Sequence, residues 1–173
     1  MKTITVKTDV YKFDELSEES KQNAIENLWD ISIDHEWWDY LYEDAANIGL
    51  KITGFDLDRA DYCKGNFLLA ANEVAQNIFN QHGQNCESYK TAQSFMDDWQ
   101  PVFSSYMDEN SLDYESRESE NKLQEIEENF LNDLLEDYKT MLQKEYDFLT
   151  SEENIIEVIQ INEYDFTIDG KLF

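Results

Sequence analysis

Apolar and polar positions recur along this chain with two different periods, and the two periods mark out its elements. Ile4, Val6 and Val10 alternate with Thr5, Lys7 and Asp9, the period of a half-buried strand. Leu16-Ser17-Glu18-Glu19 then predicts a helix start, because Ser17 can cap it and two acids fall in its positive first turn. Ala24, Ile25, Leu28 and Trp29 supply that helix with its apolar stripe. A second helix is expected to carry Trp37, Trp38, Leu41, Tyr42, Ala45 and Ile48, with Gly49 just past its end. Trp37 and Trp38 would lie about 100° apart on such a helix and cannot both face inward. Either one is a partly exposed interface anchor, or neighbouring elements cover both, which is the outcome expected.

Leu50–Leu57 reads as a strand with a register shift: Leu50 and Ile52 share one face, Phe55 and Leu57 the other, and Gly54 sits where a bulge absorbs the extra residue. Asn66–Ala70 could pair with it. Val74, Ala75, Ile78 and Phe79 predict a helix stopped at Gly83, and Tyr89, Ala92, Phe95, Met96 and Trp99 predict another, ended by Pro101. The longest helix is expected over Glu120–Leu149, where Leu123, Ile126, Phe130, Leu134, Tyr138, Met141 and Leu142 recur at threes and fours. Thr150-Ser-Glu-Glu153 has the pattern of a capping box and restarts a helix through Ile161. The stretch Tyr164–Phe173 reads as a hairpin turning at Asp169-Gly170 in a type I′ turn. No internal repeat interrupts this order. The expectation is an α+β fold: a small mixed or antiparallel sheet packed with several helices, one of them long, acidic and amphipathic. It would form a single domain over residues 1–173, with an acidic segment at 108–121 that could be mobile.

Composition sharpens this picture. The 173 residues hold 39 acids against 13 Lys and Arg, a formal charge of −26, yet 41% of them are hydrophobic and 14% aromatic. A charge of that size alone would suggest disorder, but four Trp, ten Tyr, ten Phe and a single proline argue for a packed core. Duplex DNA carries a charge per about 1.7 Å of axis, so this charge equals that of about 44 Å of duplex, close to the roughly 40 Å diameter of a compact domain of this length. Residues 108–137 are the densest stretch, with twelve acids and two bases. On a helix, Glu125, Glu128, Asn129, Asn132, Asp133, Glu136 and Asp147 fall opposite the apolar stripe. Like-charged pairs such as Asp133–Asp137 and Glu125–Glu128 oppose the helix, each by a few tenths of a kcal/mol. Such a face is read as carboxylates standing in for phosphates before a basic groove. The alternative is a solvated face that serves solubility. The acids expected to touch a partner are Asp108, Glu109, Asp113, Glu115, Glu118, Glu125, Glu128, Asp133 and Glu136.

Candidate chemistry is sparse. His35-Glu36-Trp37-Trp38-Asp39 begins like a zinc-protease motif but has Asp39 where a second histidine is needed. Cys63, His82 and Cys86 form one soft-ligand set, although Gly83 breaks the helix that would align the last two. Asp56, Asp58 and Asp61 could hold a divalent ion and support a metal-dependent hydrolase, but they lack the glycine and the terminal glutamate of a calcium loop. No Ser-His-Asp pattern, phosphate-cradling glycine loop or CxxC occurs. The chain is therefore read as a non-enzyme with no cofactor. The opening Met1–Thr8 has no apolar run or cleavage pattern, and nowhere do eighteen apolar residues run together. With two cysteines suited to a reducing compartment, a cytoplasmic location without membrane contact is expected. The sequence does not set an oligomeric state, and a dimer is one option.

Three stretches carry a resemblance: Tyr11-Lys-Phe-Asp-Glu-Leu-Ser-Glu-Glu-Ser-Lys21, Gly54-Phe-Asp-Leu-Asp-Arg59 with Tyr62-Cys63-Lys64-Gly65, and Asn162-Glu-Tyr-Asp-Phe-Thr-Ile-Asp-Gly-Lys-Leu-Phe173. Together they resemble a family of small acidic proteins encoded by bacteriophages and prophages, over most of the chain. The shared motifs are structural punctuation and bring no site residues with them. What the resemblance implies is a role against host defence, where acidic mimics of nucleic acid recur: inhibition of a nuclease, restriction or CRISPR system in the bacterial host cell. The target would be a basic nucleic-acid-binding protein, with no direct contact to nucleic acid. The alternative is a phage accessory, assembly or antitoxin-like protein that binds through apolar contacts.

Overall fold

The computed structural model describes residues 1–3, 7–108 and 114–173. Among them, six α-helices and two small antiparallel sheets make the chain 61% helical and 11% strand, an α+β architecture dominated by its helices. The chain divides into two compact units, a terminal one (Met1–Trp37 with Lys144–Phe173) and a central one (Trp38–Gln143). Each has its own hydrophobic core.

In the terminal unit the first strand, β1, is only Tyr11–Lys12. Lys7–Val10, expected as strand, form no regular element, and Ile4–Val6 lie outside the described residues. A 3-10 turn (Phe13–Glu15) leads to helix α1, Glu18–Asn27, which starts as predicted: the Ser17 hydroxyl accepts from the Ser20 amide at 3.2 Å. Trp29 falls beyond the helix end and is 50% exposed, so it does not join the stripe with Ala24 and Ile25. The chain returns to this unit through helix α6, Glu152–Ile161, and strand β4, Asp165–Phe166, which pairs antiparallel with β1. The cap of α6 is Ser151, one residue after the expected Thr150, whose hydroxyl instead bonds back to the Tyr146 carbonyl.

The terminal hairpin forms with a different turn. Gly170 N donates to Thr167 O, Gly170 has φ +82°, and Asp169 is not among the residues of positive φ. A type I′ turn would need two such residues; the observed loop has three residues with the glycine last. A side chain on Gly170 would overlap the Ser20 carbonyl, so this glycine lets the hairpin close onto α1. Phe13, Leu16, Ala24, Ile25, Ile155, Ile159 and Phe166 fill the core beneath.

The central unit opens with helix α2, Asp39–Ile48, ended by Gly49 at φ +94°. Strand β2, Leu50–Asp56, pairs antiparallel with strand β3, Tyr62–Phe67, and the register slips between Ile52 and Gly54, where the alternation of side chains placed it. Of the predicted partner strand only Asn66 and Phe67 pair. Helix α3, Ala71–Gln81, is followed by helix α4, Glu87–Asp108, which runs on through Pro101. Proline removes one N–H and leaves one carbonyl without its helical partner. Packing outweighs that loss here: Trp99 and Phe103, on either side of Pro101, stack with ring centres 4.3 Å apart.

Helix α5, Tyr114–Leu149, is 36 residues long and begins six residues before the expected start at Glu120. The division between the units falls within it, at Gln143. Of the segment 108–121, Asp108 ends α4, 114–121 begin α5, and 109–113 lie outside the described residues. Trp37 and Trp38 are both half-buried, in different units: Trp37 packs on Tyr146, and Trp38 meets the edge of Phe55. No helix of the described residues is long and apolar enough to cross a membrane.

Candidate functional site

Helix α5 acquires its polarity from its packing. Phe130, Leu134, Leu135 and Tyr138 are sealed in the central core, so the opposite side of the helix is left to solvent. Glu125, Glu128, Asn129, Asn132, Asp133 and Glu136 are all exposed there, as is Glu118 nearer the start. At 1.5 Å per residue, Glu125 to Glu136 spans about 16 Å and carries four carboxylates, about one per 5.5 Å. A DNA strand carries one phosphate per about 3.4 Å of rise. The helix thus offers a sparser row of negative charge on a rigid rod.

Few bases dilute it. Lys139 bonds Glu136 at 2.7 Å and also reaches Asp61, at 3.3 Å, in the turn after β2. Glu128 accepts from the neutral Gln124 amide at 2.8 Å. Of the other acids expected to meet a partner, Asp108 lies in the last turn of α4 and Glu115 in the first turn of α5, whereas Glu109 and Asp113 lie outside the described residues.

Helix α4 lies antiparallel against α5, as three contacts in reverse order show. Thr91 donates to Asp137 at 2.7 Å, the rings of Phe95 and Phe130 stack at 4.2 Å, and the Trp99 indole donates to Glu127 at 3.0 Å. Asp98, exposed on α4 and lining a crevice together with Asp133, therefore extends the acidic surface beyond α5. Sequence reasoning missed this extension, because residues 71–107 hold few acids overall and nothing in their spacing indicates which helix they will flank. Asp137 sits half inside the contact. Burial holds its carboxyl above the usual carboxylate range, the Thr91 bond works against that, and the neighbouring Glu87, Asp133 and Glu136 add to it.

A second constellation was also not legible in the sequence. Tyr138 donates to Asp44 at 2.6 Å, His82 Nε2 stands 3.5 Å from the other Asp44 oxygen, and His82 Nδ1 lies 2.7 Å from the Ser88 hydroxyl. The four residues come from α2, the end of α3, the start of α4 and α5. The His82 contact and the Tyr138 bond hold the Asp44 carboxyl below its ordinary value against the effect of burial. Burial raises the Tyr138 hydroxyl, and the bond to Asp44 adds to it. Serine, histidine and aspartate do meet here, but Ser88 is only 2% exposed. The set serves as a polar hub that ties four helices together.

Among the described residues, no three His, Cys, Asp or Glu side chains come together as a metal site. Asp56 spends one oxygen on the amides of Asp58 and Arg59, at 2.9 and 3.0 Å, which holds its carboxyl low. Asp61 is drawn to Lys139. The Cys63 thiol is pushed up to about 11, by burial first and then by Glu136, with Lys139 opposing. Cys86 is exposed. Compared with known proteins, the chain matches no family model, no curated protein and no solved structure.

Proposed function

We propose that this protein is a stoichiometric inhibitor that occupies the basic groove of a nucleic-acid-binding protein, its carboxylates taking the place of phosphates. The observation that carries this reading is the exposed row of Glu125, Glu128, Asp133 and Glu136 on one face of a rigid helix, extended by Asp98. Such a row is suited to the arginines and lysines of a DNA or RNA channel. With the resemblance to phage and prophage proteins, the target is a defence nuclease, restriction enzyme or CRISPR effector in the cytoplasm of a bacterial host. Binding needs no cofactor and releases no product. Exposed ion pairs contribute at most about 1 kcal/mol each, so affinity would come from many of them acting together.

A second reading rests on a different surface. In the terminal unit Ile161, Ile168 and Phe173 are 71%, 70% and 72% exposed. They favour an accessory or assembly role through apolar contacts, with the acids serving solubility.

The salt dependence of binding separates the two. Tagged protein incubated with nuclease-treated bacterial lysate should retain a nucleic-acid-binding enzyme that elutes below about 0.5 M salt, where charges are screened beyond a few ångströms. Reversing Glu125, Glu128, Asp133 and Glu136 together to lysine should abolish that retention. A partner that resists high salt, or one held equally by the charge-reversed protein, would sink the mimicry reading.

A further inference from the structure

Between α4 and α5, on the acidic face, lies a crevice of about 70 Å³. Its construction is nearly symmetric. Helix α4 contributes Ser94, Phe95 and Asp98, and α5 contributes Asn129, Phe130 and Asp133, with the same spacing on each helix. Because the helices run antiparallel through the Phe95–Phe130 stack, the two aspartates lie on opposite sides of it. Each is displaced by three residues, so they stand about 9 Å apart along the helix axes. The floor is apolar, formed by the buried Phe95 and Phe130 with the half-buried Ile126, while Ser94, Asp98, Asn129 and Asp133 form an exposed rim. The polar clasps on either side, Thr91–Asp137 and Trp99–Glu127, are already satisfied. Among the described residues, no lysine, arginine or histidine comes within ion-pair distance of Asp98 or Asp133.

The geometry points to this crevice as a seat for an arginine side chain of the basic partner, its guanidinium set between Asp98 and Asp133 over the apolar floor. This deepens the function proposed above and rests on the same reading of the acidic face. The rim offers acceptors in two directions: two carboxylates, the Asn129 amide oxygen and the Ser94 hydroxyl oxygen. A guanidinium presents five donors in one plane and is weakly hydrated, so it can lie on an apolar floor and still meet acceptors at both ends. A lysine ammonium is compact and strongly hydrated, and would lose water to that floor without reaching both aspartates.

The test uses the whole protein and a single-residue probe. Amide NMR spectra of the labelled protein are recorded during titration with N-acetyl-arginine amide, and separately with N-acetyl-lysine amide at the same ionic strength. The expected result is a saturable shift at Ser94, Asp98, Asn129 and Asp133, with lysine binding at least about fivefold more weakly. Asp98→Asn combined with Asp133→Asn should remove the saturable shift and leave the melting temperature intact, whereas Glu125→Gln with Glu128→Gln should preserve it. Shifts equal for the two probes, or spread evenly over Glu125, Glu128 and Glu136, would overturn the assignment. Failure here with salt-sensitive capture of a nucleic-acid enzyme intact removes only the arginine seat. A saturable arginine site in a protein that captures no such enzyme keeps the seat and removes the mimicry reading.

Discussion

The two units carry similar charge but organise it differently. The central unit holds 22 acids against 7 bases over residues 38–143, and the terminal unit 17 against 6 over residues 1–37 and 144–173. In the terminal unit the acids are dispersed over short elements, and several are occupied: Lys12 holds Asp165, Lys21 holds Glu18, and Lys171 holds Asp169. In the central unit a run of acids shares one face of the longest helix, with another helix packed alongside. Net charge therefore does not locate a binding surface in this protein. Rigidity and register do, because a partner's cations can be matched only by carboxylates held at fixed spacing.

The cores differ as well, and truncating each one tests whether they are independent. Phe130 lies between Phe95 and Phe67 in the central unit, and Phe166 packs on Phe13 in the terminal one. Phe130→Ala and Phe166→Ala should each cost about 3–5 kcal/mol, since both rings are buried and the gap cannot close. In urea titrations followed by amide exchange, each substitution should lower protection mainly in its own unit. Equal loss in both units from either change would break the two-core description.

The next largest effect concerns the glycines. Gly170→Ala places a side chain against the Ser20 carbonyl at a positive φ, and should cost about 1–3 kcal/mol or more in the terminal unit. Gly54 sits at the bulge of β2 with nothing within 4 Å of an added Cβ. Gly54→Ala should thus be neutral or stabilising by up to about 1 kcal/mol. Urea midpoints of the two variants check the contrast, and similar losses at both sites would refute it.

The smallest effect separates two aspartates of the central unit. Asp137 has a raised folded-state pKa, so the folded protein binds its proton more tightly than the unfolded chain. Its charge opposes folding above that pKa, and the penalty disappears as pH falls through it. Asp137→Asn keeps an acceptor for Thr91 and should stabilise by about a few tenths of a kcal/mol at neutral pH, the value expected for a half-exposed group. The gain should shrink as pH falls toward 4. Asp44 behaves in the opposite sense: its pKa is lowered, so its contribution is present above the ordinary aspartate value and is lost as pH falls through the lower folded value. Asp44→Asn should destabilise at neutral pH, with the deficit narrowing in acid. Chemical denaturation between pH 3 and 7 distinguishes the two, and parallel pH profiles would contradict both assignments.

Features that depend on near neighbours in the chain were legible from the residues alone. Ser17 caps α1, Gly49 ends α2, the slip at Gly54 follows from side chains that change parity, and the polar face of α5 follows from where its apolar residues recur. Each rests on contacts within a few positions, where backbone geometry and side-chain chemistry suffice. What lay beyond that range needed the tertiary structure. Pro101 signals a helix end locally, and only the Trp99–Phe103 stack and the core beneath show why α4 continues. The two-residue strand Tyr11–Lys12 has no period to detect and exists because Asp165–Phe166, over 150 positions away, supplies its partner. The meeting of Asp44, His82, Ser88 and Tyr138, and of Asp98 with Asp133, depends on which helices pack together. The amino-acid sequence determined that this protein is acidic, folded and helical along an amphipathic rod. Only the packing of separate helices decided which carboxylates face one another across a crevice, because that distance is set by core side chains and not by position in the chain.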